Sequence, residues 1–400
     1  MILRKGSYRR RLNPPCRRQT RARYLIRSSR IWQPAWHWKF DLCRYGRTSN
    51  SNSVITTRLV PANPESISEA AELICAGQLV AFPTETVYGL GAHALNATAI
   101  YKIFAAKGRP STDPLIVHII GAEQLRQVAT DIPERAYQLI EAFWPGPLTL
   151  ILPRHPNVPA VISAELPTIA VRAPDHPVAE ALISAANVPI AAPSANRFAH
   201  ASPTTAKHVY DDLAGRVPLI LDGGPTKIGV ESTIVDMTGP HPKLLRPGAV
   251  SLSALSAIVP DVELYTRYLS ADGGPQRAPG QLMMHYAPTA ELFLFEGEPD
   301  AVRSSLRQAV AEHVRHGRHP GLLIATEDQA MLNGIDVPIE ITGPLTDLDQ
   351  VAKRLFAGLR ALDSRKVDVI LARGYPTQGI GLAIRDRLIR AAAGRTIRCA

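Results

Sequence analysis

Residues 102 to 119 read KIFAAKGRPSTDPLIVHI, and they hold the clearest pair of fixed cations in the chain, with Lys107 and Arg109 bracketing Gly108 at the end of a helix-like run. Basic residues at a helix C-terminus complement the helix dipole, which is one explanation of the pair. The other is chemical: two cations held beside a strand edge suit a polyphosphate, whose oxygens a guanidinium can grip in pairs. The residues alone leave both open.

Three further stretches could carry chemistry. FPTETVYGLG, 82 to 91, ends an apolar strand in Thr84, Glu85, Thr86 and Tyr88 before Gly89 and Gly91. Hydroxyls alternating with a carboxylate can bind a small polar ligand close to a glycine backbone, although an ordinary turn reads the same way. PIAAPSANRFAHASPTTAKHV, 189 to 209, places Ser194 and Asn196 two apart and sets Ser202 and Pro203 where the next helix should begin. A serine there serves an anion or merely caps the helix. GVESTIVDM, 229 to 237, opens a strand with Ser232 and Thr233, and LLRPG follows with Arg246, a lone arginine that could equally be a surface group. Dinucleotide, P-loop, nucleophile-elbow and zinc-protease signatures are all missing.

The elements that must position these residues follow from periodicity. Apolar runs at 79 to 83, 114 to 119, 148 to 152, 168 to 173, 188 to 192, 217 to 221, 232 to 237 and 243 to 248 predict strands. Helical periods cover Ser66 to Cys75, Ala97 to Lys107 and Glu134 to Phe143, with Asn96 as a cap and Gly108 as a stop. The later strands are too closely spaced for a helix between each, so the sheet is expected to be mixed. Residues 263 to 289 read as a linker. Strands at 291 to 297, 321 to 326 and 367 to 373 then alternate with helices at 301 to 316, 351 to 362 and 382 to 393, which predicts a smaller parallel α/β domain over 290 to 400.

Charge sharpens this division. The formal net charge is +10, but residues 1 to 47 hold 14 basic residues against one acid, and the rest holds 31 basic and 34 acidic residues. The basicity belongs to the leader, residues 1 to 53, and leaves the body near neutral. That leader also carries Trp32, Trp36, Trp38, Cys16 and Cys43 without sustained periodicity. It reads as a disordered extension, with a transit peptide or a nucleic-acid-binding arm as the alternatives. No apolar run is long enough to span a membrane. The absence of any C-x-x-C pair points to a reducing compartment without structural zinc.

The order PTETVYGLG, AKGRP with PLIVHI, WPGPLTLIL, AVRAPDHP, APSAN with SPT, ESTIVD and LLRPGAV, over 54 to 262, closely resembles the YrdC-like domain of threonylcarbamoyl-AMP synthases. APGQLMMHYAP and the trailing domain resemble the long, two-domain form of that family. The resemblance implies a twisted mixed sheet with flanking helices and a Rossmann-like second domain. It implies condensation of L-threonine, bicarbonate and ATP to threonylcarbamoyl-AMP with release of pyrophosphate, in the cytoplasm. Magnesium would accompany the ATP, and the product would pass to a tRNA threonylcarbamoyl-transferase complex, with weak tRNA contact possible.

By matched position, the resemblance sets Thr86, His118, Arg172 and Ser232 around threonine, with Ala192 lining that pocket by its backbone. It sets Lys107 and Arg109 in the catalytic role, and Arg109, Asp113, Thr168, Ser194, Ser202 and Arg246 around the nucleotide, with Tyr286 as a lid. Relatives usually carry DNP where this chain has STDP, so the carboxylate of Asp113 stands where an amide is usual. For His118 the alternative is an ordinary core histidine. Two other functions compete: a tRNA or double-stranded-RNA-binding module, disfavoured by the near-neutral body, and a carbamoyltransferase handling carbamoyl-adenylate, whose large zinc-motif partner domains are absent.

Overall fold

Local side-chain chemistry starts the first two helices. Asn63 accepts the Ser66 amide at 2.8 Å while the Ser66 hydroxyl accepts the Asn63 amide at 2.9 Å, a reciprocal cap that opens α1 (Pro64–Cys75). Asn96 caps α2 (Ala97–Lys107) through the Ala99 amide, and Gly108 ends it with a left-handed φ of 65°. The expected bounds of this helix and of α4 (Glu134–Phe143) hold to the residue. The computed structural model describes residues 55–265, 274, 276–280 and 286–400. The expectations for the leader, and residues 281 to 285 of the linker motif, lie outside them.

Among the described residues, eleven strands form one mixed sheet. In chain order they are β1 (Arg58–Pro61), β2 (Val80–Phe82), β3 (Gly89–His93), β4 (Ile116–His118), β5 (Leu148–Pro153), β6 (Thr168–Arg172), β7 (Ile190–Ala191), β8 (Leu219–Asp222), β9 (Thr233–Asp236), β10 (Lys243–Arg246) and β11 (Glu263–Leu264). Their spatial order is β1-β8-β2-β3-β7-β4-β6-β5-β9-β10-β11. Pairing is mixed in sense, with β4 parallel to β6 but antiparallel to β7, so strands distant in sequence lie side by side. The helices α3 (Gly121–Val128), α5 (Pro177–Ala186), α6 (Ala206–Leu213) and α7 (Leu252–Ile258) complete this part. A large apolar cluster through Leu90, Ile103, Val117, Leu150 and Val171 supports one face. A smaller one through Ile116, Ala170, Ile234 and Leu245 is covered by Ala278 of the linker.

Two expectations are corrected. Gly89 and Gly91 belong to a strand, β3, rather than to a turn, because the chain pairs antiparallel with both β2 and β7 there. A Cβ on Gly91 would stand 2.8 Å from the Phe82 ring, so glycine is required by close packing. Ser202 does not start a helix: α6 begins at Ala206 with Thr205 as its cap, and the Ser202 hydroxyl is committed elsewhere.

The second part is the expected parallel sheet, with strands β12 (Glu291–Gly297), β13 (Pro320–Ala325), β14 (Ile339–Gly343), β15 (Val369–Arg373) and β16 (Thr396–Cys399) in the order β14-β13-β15-β12-β16. Its helices are α8 (Pro299–Arg315), α9 (Leu348–Ser364) and α10 (Gly381–Ala391). One apolar cluster joins Val87, Ala201 and Val230 of the first part to Leu355 and Phe356 of α9. Gly229, at φ 87°, meets α9 so closely that a Cβ would lie 2.4 Å from Lys353 Cα. Arg360 of α9 reaches back to Asp212 at 2.7 Å and to the Ala201 carbonyl at 2.5 Å.

Candidate active site

The parallel register of β4 and β6 sets His118 directly beside Arg172. Arg172 Nη2 lies 2.5 Å from Glu85 Oε1, Nη1 donates to Thr86 Oγ1 at 2.9 Å, and Nε donates to the Gly146 carbonyl at 3.2 Å. A guanidinium has five N–H donors, so one remains on each terminal nitrogen, the fork a carboxylate takes. The Thr84 and Thr86 hydroxyls are 2.8 Å apart and extend this polar edge. Burial, and then the charge of Arg172, push the His118 imidazole down to about 3, so it is neutral in ordinary buffers. Ala192, just past β7, donates its backbone N–H to the Ile116 carbonyl at 2.8 Å.

Arg246, at the end of β10, donates Nε to the Ser232 carbonyl at 3.1 Å, Nη2 to Ser232 Oγ at 3.0 Å and Nη1 to the Pro279 carbonyl at 3.3 Å. Ser232 Oγ is also 2.7 Å from Thr149 Oγ1. Arg109 folds along its own segment: Nη2 is 2.9 Å from Asp113 Oδ1 and donates to the Pro114 carbonyl at 2.6 Å, while Nε donates to the Asp113 carbonyl at 3.0 Å. Burial pushes the Asp113 carboxyl up, against the opposing pull of Arg109. Lys107 Nζ donates to the carbonyls of Ser194 at 2.6 Å and Asn196 at 2.5 Å. Burial, and then the neighbouring charge of Arg109, hold its ammonium well below the usual lysine range.

Thr86, Arg109, His118, Arg172, Ala192, Ser194, Ser232, Arg246 and Tyr286 line one cavity. Lys107, Asp113, Thr168 and Ser202 lie outside its lining. Lys107 touches it through the carbonyl of Ser194, Asp113 through Arg109, and Ser202 through Glu231. Thr168 shares a sheet face with Arg172 but stands four residues down β6, about 13 Å away at the usual strand rise. Sequence reasoning missed Glu231 and Gly280 in the lining and the role of Glu85 behind it. The signal for both acids was present, since Glu231 precedes Ser232 and Glu85 precedes Thr86.

Tyr286 closes the cavity from the linker. Its φ of 63° is uncommon for a bulky residue, and such strain persists only where surroundings enforce it. Phe356 of α9 packs on its ring at 5.5 Å, the Arg387 guanidinium of α10 lies 5.2 Å over it, and the next amide, Ala287, bonds to Ala199 at 2.8 Å. Burial pushes its phenol up, so it remains a neutral donor. Among the described residues no group of three or more His, Cys, Asp or Glu could hold a metal ion. The acids nearest the cavity, Glu85, Asp113 and Glu231, are each engaged by an arginine. The donor set does not fit a resident metal, and any magnesium would arrive on the phosphates of a nucleotide substrate.

Comparison with known proteins follows the same division of the chain. Residues 72–248 match a family model described as Telomere recombination, and residues 250–393 match one described as Threonylcarbamoyl-AMP synthase, C-terminal domain. The chain is 45% identical over 345 residues to the threonylcarbamoyl-AMP synthase of Bacillus subtilis (strain 168), covering 86% of this chain and 97% of that one. It is 43% identical over 332 residues to the protein of the same name from Pyrococcus abyssi, covering 82% and 94%. The solved structure of P. abyssi Sua5 complexed with L-threonine superposes with a TM-score of 0.81 at 42% identity, covering 87% of this chain and all of that one.

Proposed function

This chain belongs to the threonylcarbamoyl-AMP synthase family, and we propose from its site how L-threonine, bicarbonate and ATP are joined in it. The threonine amine condenses with bicarbonate to a carbamate, releasing water. A carbamate oxygen then attacks the α-phosphorus of ATP, the bond to the β-phosphate oxygen breaks, and pyrophosphate leaves. No protein nucleophile is needed, so the enzyme's task is orientation and neutralisation of charge.

Arg172 takes the threonine carboxylate with its two remaining N–H donors, and Thr86, Ser232 and neutral His118 surround the rest of the amino acid. Arg246 and Arg109, with Ser194, face the triphosphate, and Tyr286 excludes water. Lys107 serves the nucleotide by holding the segment of Ser194, and Ser202 by engaging Glu231. Asp113 sets the angle of Arg109. Thr168, at the start of β6 and outside the cavity lining, is assigned to the nucleotide by the resemblance alone. Magnesium comes with ATP. The product feeds threonylcarbamoylation of tRNA through a separate transferase complex in the cytoplasm. Among the described residues no helix is long and apolar enough to cross a membrane.

The placing of two buried arginines, Arg172 and Arg246, in the lining of one cavity carries this reading. Pyrophosphate release from ATP, measured with and without threonine and bicarbonate, tests it. The expected result is release only when both are present, and turnover indifferent to threonine refutes it.

A further inference from the structure

The helix α10 of the second domain turns arginines inward. Arg387 and Arg390 rank among the largest fully buried side chains of the described residues. Arg387 Nε donates to Glu231 Oε2 at 2.7 Å, and its Nη1 donates to Asp386 Oδ2 at 2.7 Å. Asp386 also accepts from Arg390 Nε at 3.0 Å. The other oxygen of Glu231 accepts the Ser202 hydroxyl. Glu231 itself lines the cavity beside Arg246 and Tyr286.

A buried ion pair is weak support for stability, because an apolar contact of the same volume usually does as well. Among the described residues, the buried Nη2 of Arg387 has no hydrogen-bond partner. The arrangement therefore asks for another reason, and charge at the cavity supplies one. Glu231 is a carboxylate on the wall that faces the triphosphate in the reading above. Left alone, it would repel the phosphates through a low-dielectric gap.

We propose that Arg387 is a positioning residue contributed by the second domain, which neutralises Glu231 and turns it onto Ser202 so that the catalytic domain can accept ATP. The second domain thereby completes the nucleotide half of the site while leaving the threonine half untouched. This rests on the assignment of the cavity to ATP and threonine.

The test is steady-state pyrophosphate release by Arg387→Gln, Glu231→Gln and the double variant, with threonine affinity measured separately by calorimetry without ATP. Arg387→Gln is expected to raise KM for ATP at least tenfold while threonine affinity stays within about threefold. Removing the exposed charge should rescue it, so Arg387→Gln/Glu231→Gln returns KM for ATP to within about threefold of the parent. Arg385→Gln, which removes the pair that this residue of the same helix makes with Glu296 of β12 away from the cavity lining, should leave KM unchanged. A double variant as impaired as Arg387→Gln overturns the proposal, as does an equal loss of ATP and threonine binding. If Arg387→Gln fails to fold, Arg387→Lys with and without Glu231→Gln poses the same rescue. Failure of the underlying reading would look different, since the parent protein would then release no threonine-dependent pyrophosphate.

Discussion

Replacing Arg172 by methionine separates what this residue does for the fold from what it does for threonine. Glu85 and Arg172 are both almost fully buried, and the pair stands at 2.5 Å. Arg172→Met strands the Glu85 carboxylate, and breaking a buried pair in this way costs about 3–5 kcal/mol. Glu85→Gln in the same chain removes the stranded charge, so the double variant should recover most of that loss. Recovery of stability should not bring back the substrate. The two remaining N–H donors of the guanidinium are gone in both variants, and hydrogen bonds to a charged group contribute about 1.5–3 kcal/mol each. A net loss of about 3 kcal/mol corresponds to threonine binding weaker by roughly 100-fold. Urea unfolding gives the first quantity and threonine calorimetry the second. A double variant that is stable and binds threonine as tightly as the parent would refute the assignment of Arg172 to the carboxylate.

Two further outcomes follow from the buried bases. The folded state holds His118 down at about 3 against an ordinary 6.5, so the unfolded chain takes up a proton first as pH falls. Stability from this residue is therefore complete above pH 6.5 and is lost as pH falls toward 3, at about 1.4 kcal/mol per pH unit. Denaturation at pH 7 and pH 5 should differ by about 2 kcal/mol more for the parent than for His118→Gln, and equal slopes would contradict the burial argument. Lys107→Met should cost about 2–4 kcal/mol, because two buried carbonyls lose their donor. It should also speed hydrogen exchange at the Ala195 amide, which bonds to Tyr88 in the segment Lys107 holds. Activity lost with exchange and stability unchanged would instead place Lys107 directly on the phosphates.

Much of this was legible because local rules and tertiary packing agree. Asn96 and Gly108 fix both ends of α2, and the apolar run of β12 sits in a parallel sheet that wants such a run. The β3 strand was not legible, since Gly89 and Gly91 carry a turn signature and are there to let Phe82 and Ile190 close over the backbone. The site divides the same way. Residue types around Thr86, His118, Arg172, Ser232 and Arg246 suggested binding, yet only the strand order brings His118 beside Arg172 and Arg246 onto Ser232. Arg387 left no trace at all, because an arginine on an amphipathic helix reads as a solvated residue until the partner surface is known.

The cations of the site also explain why a near-neutral body can serve a polyphosphate. A cation paired to a carboxylate is positioned but largely cancelled, whereas one held by carbonyl oxygens is positioned and keeps its field. Arg246 is held in this way, by the carbonyls of Ser232 and Pro279 and by one hydroxyl. Arg172 and Arg109 each carry one acid beside them and donate their other hydrogen bonds to neutral oxygens. Glu231 would be the unmatched charge on this wall, and Arg387 matches it from the second domain. Counting acids and bases along the chain therefore misjudges the site. What decides its field is whether each buried charge is held by a dipole or by an opposite charge.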